Sequence, residues 1–372
     1  MQIDSVVRKS IVKGISLSIL IYALPVTLLF LTLYLKGQRP WESPLSANQV
    51  WWLHQWNDYG VSGFIFALGL VEFLFGLYDH ERWDGNEKLT DVVCFAFPLL
   101  IVRPFVTYFG LKVLPFLLPS YKNFFAWVPF WLGFFIICIA DDLTQYWYHR
   151  LHHQVPWLWR FHRTHHSAPY MGMSMASRQN AFYTIFFSQI YVTSVLVYLG
   201  LGSSAILVQT IKSAITILAH SSLPWDKPFY KYRVLHPIAW VLERLISTPA
   251  THHAHHAATA DDGVGYYKGN FGNMFFLWDV IFGTALISRQ YPQTYGISHY
   301  EGDSWYAQFL WPVFKSRVAG SELAADGPMV RVDAELPTST GNRAVWRTAT
   351  AQPSYPQPTG EPEDEDFFFD LS

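Results

Sequence analysis

Apolar runs long enough to cross a bilayer alternate with short polar stretches over the first 220 residues of the chain. The first run, Ile15 to Leu35, is about 20 residues long, sufficient for a membrane helix. It follows Arg8, Lys9 and Lys13, so its basic end is expected in the cytoplasm. Its length exceeds that of a cleaved leader, and Pro25 is expected to bend it. A second run, Val61 to Tyr78, contains Glu72, which should point into the helical bundle rather than at lipid. After the charge-mixed segment Asp79–Asp91 come two more runs, Val92–Leu118 and Asn123–Ala140, separated by Pro119-Ser120-Tyr121-Lys122. Arg103-Pro104 and Lys112 interrupt the third run, which reads as a bent span or an interfacial helix. The pattern then turns polar until Asn180. Phe182–Leu201 and Ala205–Ala219 follow, hinged at Gly200 to Ser204, and predict a helical hairpin that enters the membrane and returns.

The expected fold is therefore an all-α integral membrane protein, with four or more transmembrane helices plus the hairpin. Four spans before residue 141 would place residues 141–180 in the cytoplasm, and the hairpin would bring residues 220–282 back to the same face. The organisation reads as transmembrane helices over 1–140, a polar helical cap with the hairpin 182–219 over 141–286, a peripheral segment over 287–318, and a disordered acidic tail over 319–372. Within that tail, Phe367-Phe368-Phe369 reads as part of a plain solvated segment, with a docking peptide as the alternative.

Composition supports a lipid-facing surface, with 15% charged and 18% aromatic residues. The net charge of −2 and the lack of a dense basic run give no reason to expect nucleic-acid binding. Cys94 and Cys138 lie in apolar runs and read as buried thiols.

Histidine changes the picture. Twelve of the fifteen lie between His149 and His256. Ten of these form three clusters: His149/His152/His153, His162/His165/His166 and His252/His253/His255/His256. Spacings of three and four residues put imidazoles on one helical face, so each cluster can aim nitrogens at one point. Asp142, seven residues before His149, shares its face and is placed to orient a ligand. Imidazole sites without thiolate suit Zn, Fe, Cu or Ni, and eight or nine candidate ligands exceed what one ion can use. No His-Glu-x-x-His pattern is present, which disfavours zinc-type hydrolysis. A redox-active metal pair beside apolar helices suits O₂ activation against an unactivated C–H bond.

These residues resemble the fatty acid hydroxylase and sterol desaturase superfamily of membrane di-iron proteins. The resemblance rests on Asp142 to His153 (Asp-x-x-x-Tyr-Trp-x-His-Arg-x-x-His), His162 to Ser167, His220 after a hairpin, and Thr248 to His256. The closing segments Asn270-Phe271-Gly272 and Trp278-Asp279-x-x-Phe282-Gly283-Thr284 also match, with Phe271 where Tyr is usual. The resemblance implies two irons held by His149, His153, His162, His165, His166, His220, His252, His255 and His256. It also implies O₂ as co-substrate and electrons from an external ferredoxin or cytochrome. Ser177-Arg178-Gln179-Asn180 stands where many members carry Arg-x-His-Pro, and looks more like the alkylglycerol monooxygenase branch.

His152 and His253 are rotated away from their neighbours and read as supporting or surface groups; His54, His80, His236 and His299 read as structural. Asp261 and Asp262 read as loop solvation or supporting acceptors, and Trp278 and Asp279 as braces or packing groups. Trp147, Trp157, Trp159 and Phe161 read as interfacial anchors or as the lining of a lipid entry. The expected activity is hydroxylation or desaturation of a fatty acyl, ether or sterol-like lipid, at the cytoplasmic face of a bacterial inner membrane or the endoplasmic reticulum. The rival readings are a metal transporter, disfavoured because the clusters lie outside the apolar runs, and a metal-binding protein without redox chemistry.

Overall fold

Three long helical stretches and a helix-rich cap converge at one end of the molecule. The computed structural model describes residues 84–297 and 302–329, together with positions 60, 63, 67, 69, 70 and 72. The expected first span, most of the second, His54, His80, His299 and the tail from 330 lie outside the described residues. Among the described residues the protein is helical, with two isolated β-bridges and no strand.

Helix α1, Gly85–Leu117, runs unbroken through Arg103-Pro104. The Asp84 carboxylate caps it by accepting from Glu87 N at 2.8 Å. Prolines 98, 104 and 115 each remove a backbone donor, and the helix absorbs them with π-helical turns at Pro98–Val102 and Phe109–Val113. Leu100, Ile101, Phe105, Tyr108, Leu111, Phe116 and Leu117 are exposed along it, a face suited to hydrocarbon. Of the two readings of this run, a bent span and an interfacial helix, the structure has a single helix long and apolar enough to cross a membrane.

Helix α2, Phe130–Gln154, carries the first histidine cluster at its far end. Val155 is extended and Pro156 opens the next helix, so the chain turns there and α3, Pro156–His166, brings the second cluster back. Asn180 caps the short α4, Ala181–Ile185, which leads into α5, Ser188–Leu196. The hairpin is completed by α6, Gly202–His220. Its tip is Gly200, at φ 110°, where a Cβ would sit 2.8 Å from the Ala126 backbone. The reversal is evident at Asp141 on α2, whose Oδ1 accepts from Thr193 before the tip (2.5 Å) and from Gln209 after it (3.0 Å). Both arms pack on α2, and Ile137, Cys138, Leu201, Ala205, Val208 and Met274 form the core between them. The stretch Ala181–His220 is the second one apolar and long enough for a membrane, and the hairpin returns the chain to the end where it began.

The cap contains α7 (Lys227–Lys231), α8 (His236–Leu245), α9 (Pro249–His255), α10 (Leu277–Phe282) and α11 (Trp305–Leu310). Two boundaries expected from the sequence move. Residues 302–318 are not peripheral, because Asp303 and Gln308 are fully buried against α3. Nor does disorder begin at 319. Leu323 is buried, Trp159 Nε1 donates to Glu322 Oε2 (2.8 Å), and Arg160 donates to Gly327 O (2.6 Å). The contacts with α3 extend to Pro328, whose carbonyl also accepts from Arg160 (3.1 Å). A run rich in small and polar residues gave no hydrophobic period, yet its backbone and a few side chains seal α3 by hydrogen bonding.

A candidate two-metal centre of nine histidines

The structure brings the nine singled-out histidines into two adjoining groups. His149, His153, His162, His166 and His255 form one, and His165, His220, His252 and His256 the other; within each, the ligand atoms lie within 4.8 Å of one another. All nine are buried. The groups touch through His166 and His256, whose rings stack with centroids 4.3 Å apart.

Local structure explains the convergence. Thr248 and Thr251 close a capping box and Pro249 occupies the first turn, so α9 starts at a fixed point and projects His252, His255 and His256 inward. The loop after α9 bends through Asn270, which adopts φ 58° and is held by donating to Thr251 O and Leu286 O, both at 2.9 Å. That turn presents two carbonyls to the cage. His255 Nδ1 donates to Gly269 O (2.8 Å) and His149 Nδ1 to Phe271 O (2.7 Å). In the second group His220 Nδ1 donates to Thr216 O (2.7 Å) and His165 Nδ1 to Arg178 O (3.1 Å).

These bonds test whether the residues fit a metal. A carbonyl only accepts, so each of the four imidazoles carries its proton on Nδ1, and in the neutral ring Nε2 holds a bare lone pair. Yet the Nε2 atoms of His149 and His255 lie 3.1 Å apart, and those of His165 and His220 3.3 Å apart. Burial, and after it the neighbouring imidazoles, hold His149 and His165 well below the ordinary histidine range, and burial holds His255 down at about 3. A proton is therefore not what reconciles the facing lone pairs at neutral pH; a cation bound between them would. His252 Nε2 adds 2.9 Å and 3.1 Å approaches to His220 and His256, and both nitrogens of His153 lack a hydrogen-bond partner among the described residues. The donor set is all imidazole, which suits Zn, Fe, Cu or Ni.

The other sequence candidates separate cleanly. His253 is buried but turned away, with Nε2 donating to Ser221 O (3.0 Å) and Nδ1 meeting the Tyr295 hydroxyl (2.9 Å). His152 donates to Tyr148 O (2.7 Å) and packs on Tyr183. His236 Nε2 donates to Tyr230 O at 3.0 Å, a structural role. Asp142 does not orient a histidine directly. Its Oδ2 accepts from Phe275 N and Trp278 Nε1, both at 3.0 Å, bracing the loop beyond the Asn270 turn. Asp279 stands closer to the cage. It accepts from Phe271 N (2.9 Å), Gly272 N (2.6 Å) and Thr284 Oγ1 (2.6 Å), and so fixes the peptide whose carbonyl orients His149. Gly272 is required there, because a Cβ would lie 2.5 Å from Phe275 O. Phe271 packs its ring against His149, His153 and His255. Asp262 accepts from Val264 N (2.9 Å) and Gly265 N (3.1 Å) of its own loop and from Gln293 N (3.0 Å), and Asp261 is exposed. Trp159 and Phe161 are buried, with Trp159 against His153 and His166, while Trp147 and Trp157 are exposed.

Sequence reasoning missed the support beneath His165. Arg178 is wholly buried, ion-paired to Asp91 (2.8 Å) and Glu87 (2.6 Å) of α1, and donates to Thr164 O (3.0 Å) and Gln308 Oε1 (3.0 Å). It ties α1, α3 and α11 together around the carbonyl that holds His165. Glu72 does point inward, as its cost in lipid required. It accepts from Met173 N and Ser222 N, both at 2.9 Å.

Residues 134–284 match the family model described as Fatty acid hydroxylase. That family belongs to the fatty acid hydroxylase/sterol desaturase superfamily. The match includes α2 from residue 134 onward, α3, the hairpin, α9, the Asn270 turn and α10. No curated protein and no solved structure matches the chain. The hydroxylase-family region thus contains every histidine of the two groups, whereas Glu87, Asp91, Asp303 and Gln308, which buttress it, lie outside the match.

Proposed function

We propose that this protein is a membrane-bound di-iron oxygenase that hydroxylates or desaturates a C–H bond of a lipid. The observation that carries the reading is the pair of facing Nε2 lone pairs, His149 to His255 and His165 to His220, in two adjoining all-histidine groups. The family match supports an oxidoreductase acting on lipids. Iron would be held by His149, His153, His162, His166 and His255 in one group and by His165, His220, His252 and His256 in the other. Bound there, iron supplies the redox chemistry that an unactivated C–H bond requires, which side-chain acids and bases cannot.

The chain's own residues position and exclude. Carbonyls of residues 216, 178, 269 and 271 fix the tautomers, so each Nε2 points inward before any metal arrives. Helix α3 and residues 302–329 close the side away from the apolar helices and keep bulk water from the cage. Lipid would enter from the bilayer side, with the cage on the cytoplasmic face. Hydroxylation consumes the C–H bond, O₂, two electrons and two protons, and yields the alcohol and water; desaturation with the same inputs yields the alkene and two waters. The electrons would come from an external ferredoxin or cytochrome. A transport role sits poorly with imidazoles locked by backbone bonds on four separate elements.

The test is O₂ consumption by the purified protein in lipid nanodiscs with a reductant, read with lipid mass spectrometry. Gain of one oxygen atom or loss of two hydrogens, abolished in His165→Ala, is expected. Reductant-independent behaviour with no altered lipid would overturn the reading.

A further inference from the structure

Two glutamines inside the bundle carry buried amide atoms that no group among the described residues satisfies. Gln145 on α2 is 1% exposed, and among the described residues neither its Oε1 nor its Nε2 has a hydrogen-bond partner. Gln189 on α5 is 5% exposed, and its Oε1 is also unpartnered. Buried polar atoms are almost always paired, so three orphans close together call for a reason.

Their placement supplies one. Helices α2 and α5 run antiparallel, in contact at Asp141–Thr193 (2.5 Å) and again where Tyr148 packs on Phe187 (5.3 Å between centroids). Gln145 is four residues on from Asp141, and Gln189 four residues back from Thr193. Each shares a helical face with the residue that makes the first contact, so both amides sit at one level of the helix pair. One further turn along α2, about 6 Å, is His149. On the other side Asp141 is already engaged by Thr193, Gln209 and Lys212, and so is not a partner for Gln145. Residues 302–329 cover α3 through Arg163–Asp303, Thr164–Gln308 and Trp159–Glu322, so on the oxygenase reading a chain would enter from the apolar helices, on the side of the glutamines. A pure hydrocarbon there would leave all three amide atoms bare. Lys212 is bound to Asp141 and Asp142, so among the described residues no free cation at this level invites an anionic head group.

We propose that Gln145 and Gln189 bind a neutral oxygen of the lipid, a hydroxyl, ether or carbonyl set within its apolar chain, and thereby place a nearby C–H bond at the histidine cage. The amide NH₂ donates to an ether or carbonyl, and the amide oxygens accept from a hydroxyl. The substrate class is an oxygen-bearing lipid rather than a plain alkyl chain. This specificity rests on the oxygenase reading for its consequence, but the binding event does not.

The test uses the full-length, metal-loaded protein in detergent, with hexadecane, hexadecanol and hexadecyl methyl ether as probes, and reads bound ligand by native mass spectrometry. The wild type is expected to prefer the alcohol and the ether over the alkane by at least about tenfold, a difference within reach of two hydrogen bonds. Gln145→Leu and Gln189→Leu should each reduce that preference at least about fivefold while metal content stays unchanged. Equal binding of the three probes by the wild type overturns the proposal whether or not the variants fold, as does a preference that survives both substitutions. Should the preference hold while no probe or cellular lipid is ever oxidised, the oxygenase reading fails and the pocket stands. Should alkane and alcohol be bound and oxidised alike, the pocket fails and the oxygenase reading stands.

Discussion

His149 and His255, 106 residues apart in sequence, face each other through Nε2 atoms 3.1 Å apart, while their Nδ1 protons are held by carbonyls of a single turn, Phe271 O and Gly269 O. That relationship makes the turn part of the site, because it sets both rings at once. His255→Ala removes one of the two facing donors. The variant is expected to lose the ion of the first group while keeping that of the second, and to lose turnover by at least about 100-fold, beyond the loss typical of a supporting residue. Metal quantitation beside a lipid product assay checks both.

Adjacent histidines should behave oppositely. His252 approaches His220 and His256, whereas His253 spends both nitrogens on Ser221 O and the Tyr295 hydroxyl. His252→Ala should empty the second group. His253→Ala should keep full metal content and lose about 1–3 kcal/mol of stability, the cost of stranding buried polar partners. Thermal unfolding and metal analysis of the two variants, side by side, separate the roles.

Asp279 gives a pH dependence with a definite sign. Burial pushes its carboxyl up to about 7 from the usual 3.8. The folded protein then holds a proton that the unfolded chain has released, so this group's contribution to stability is complete below about pH 4 and is lost as pH rises through 7. In Asp279→Asn that fall should disappear from the difference curve between wild type and variant, measured by thermal unfolding across this range. The amide also places donors against Phe271 N and Gly272 N, which should disturb the His149 carbonyl and weaken metal binding about 10–100-fold.

Arg178 tests the support outside the family match. Its guanidinium joins Asp91 and Glu87 of α1 to Thr164 O and Gln308, and its own carbonyl accepts from His165. A lysine keeps the charge but not the fork. Arg178→Lys should destabilise the protein by about 3–5 kcal/mol, as expected when a buried charge network loses a partner's geometry. Asp91→Asn should cost less, because Glu87 remains. Chemical denaturation in detergent would rank the two.

The histidine site was legible because its signal is local. Spacings of three and four residues recur on α2, α3 and α9, and the hairpin that returns His220 was marked by a Gly-rich hinge at Gly200. The supports were less legible, for a physical reason. Arg178, Asp91 and Gln308 meet across 87 and 130 residues of sequence, and nothing in a helical period announces such a meeting. Asp142 shows the converse. Sharing the face of His149 suggested a direct contact, but at seven residues it lies two turns away and reaches the Phe275 and Trp278 groups instead. Residues 319–329 were read as tail because they lack apolar periodicity, although Ser321 and Glu322 bind Asp303 and Trp159. Gln145 carried no signal at all within the Asp-x-x-x-Tyr-Trp pattern, since its distinction is the partner it lacks.

The central claim is that nine buried imidazoles hold two transition-metal ions. It is tested most directly by counting metal per chain in wild-type protein produced with iron and purified without chelators. Two iron ions per chain, falling to one in His255→Ala, is the predicted result. One ion or none in the folded wild type would contradict it.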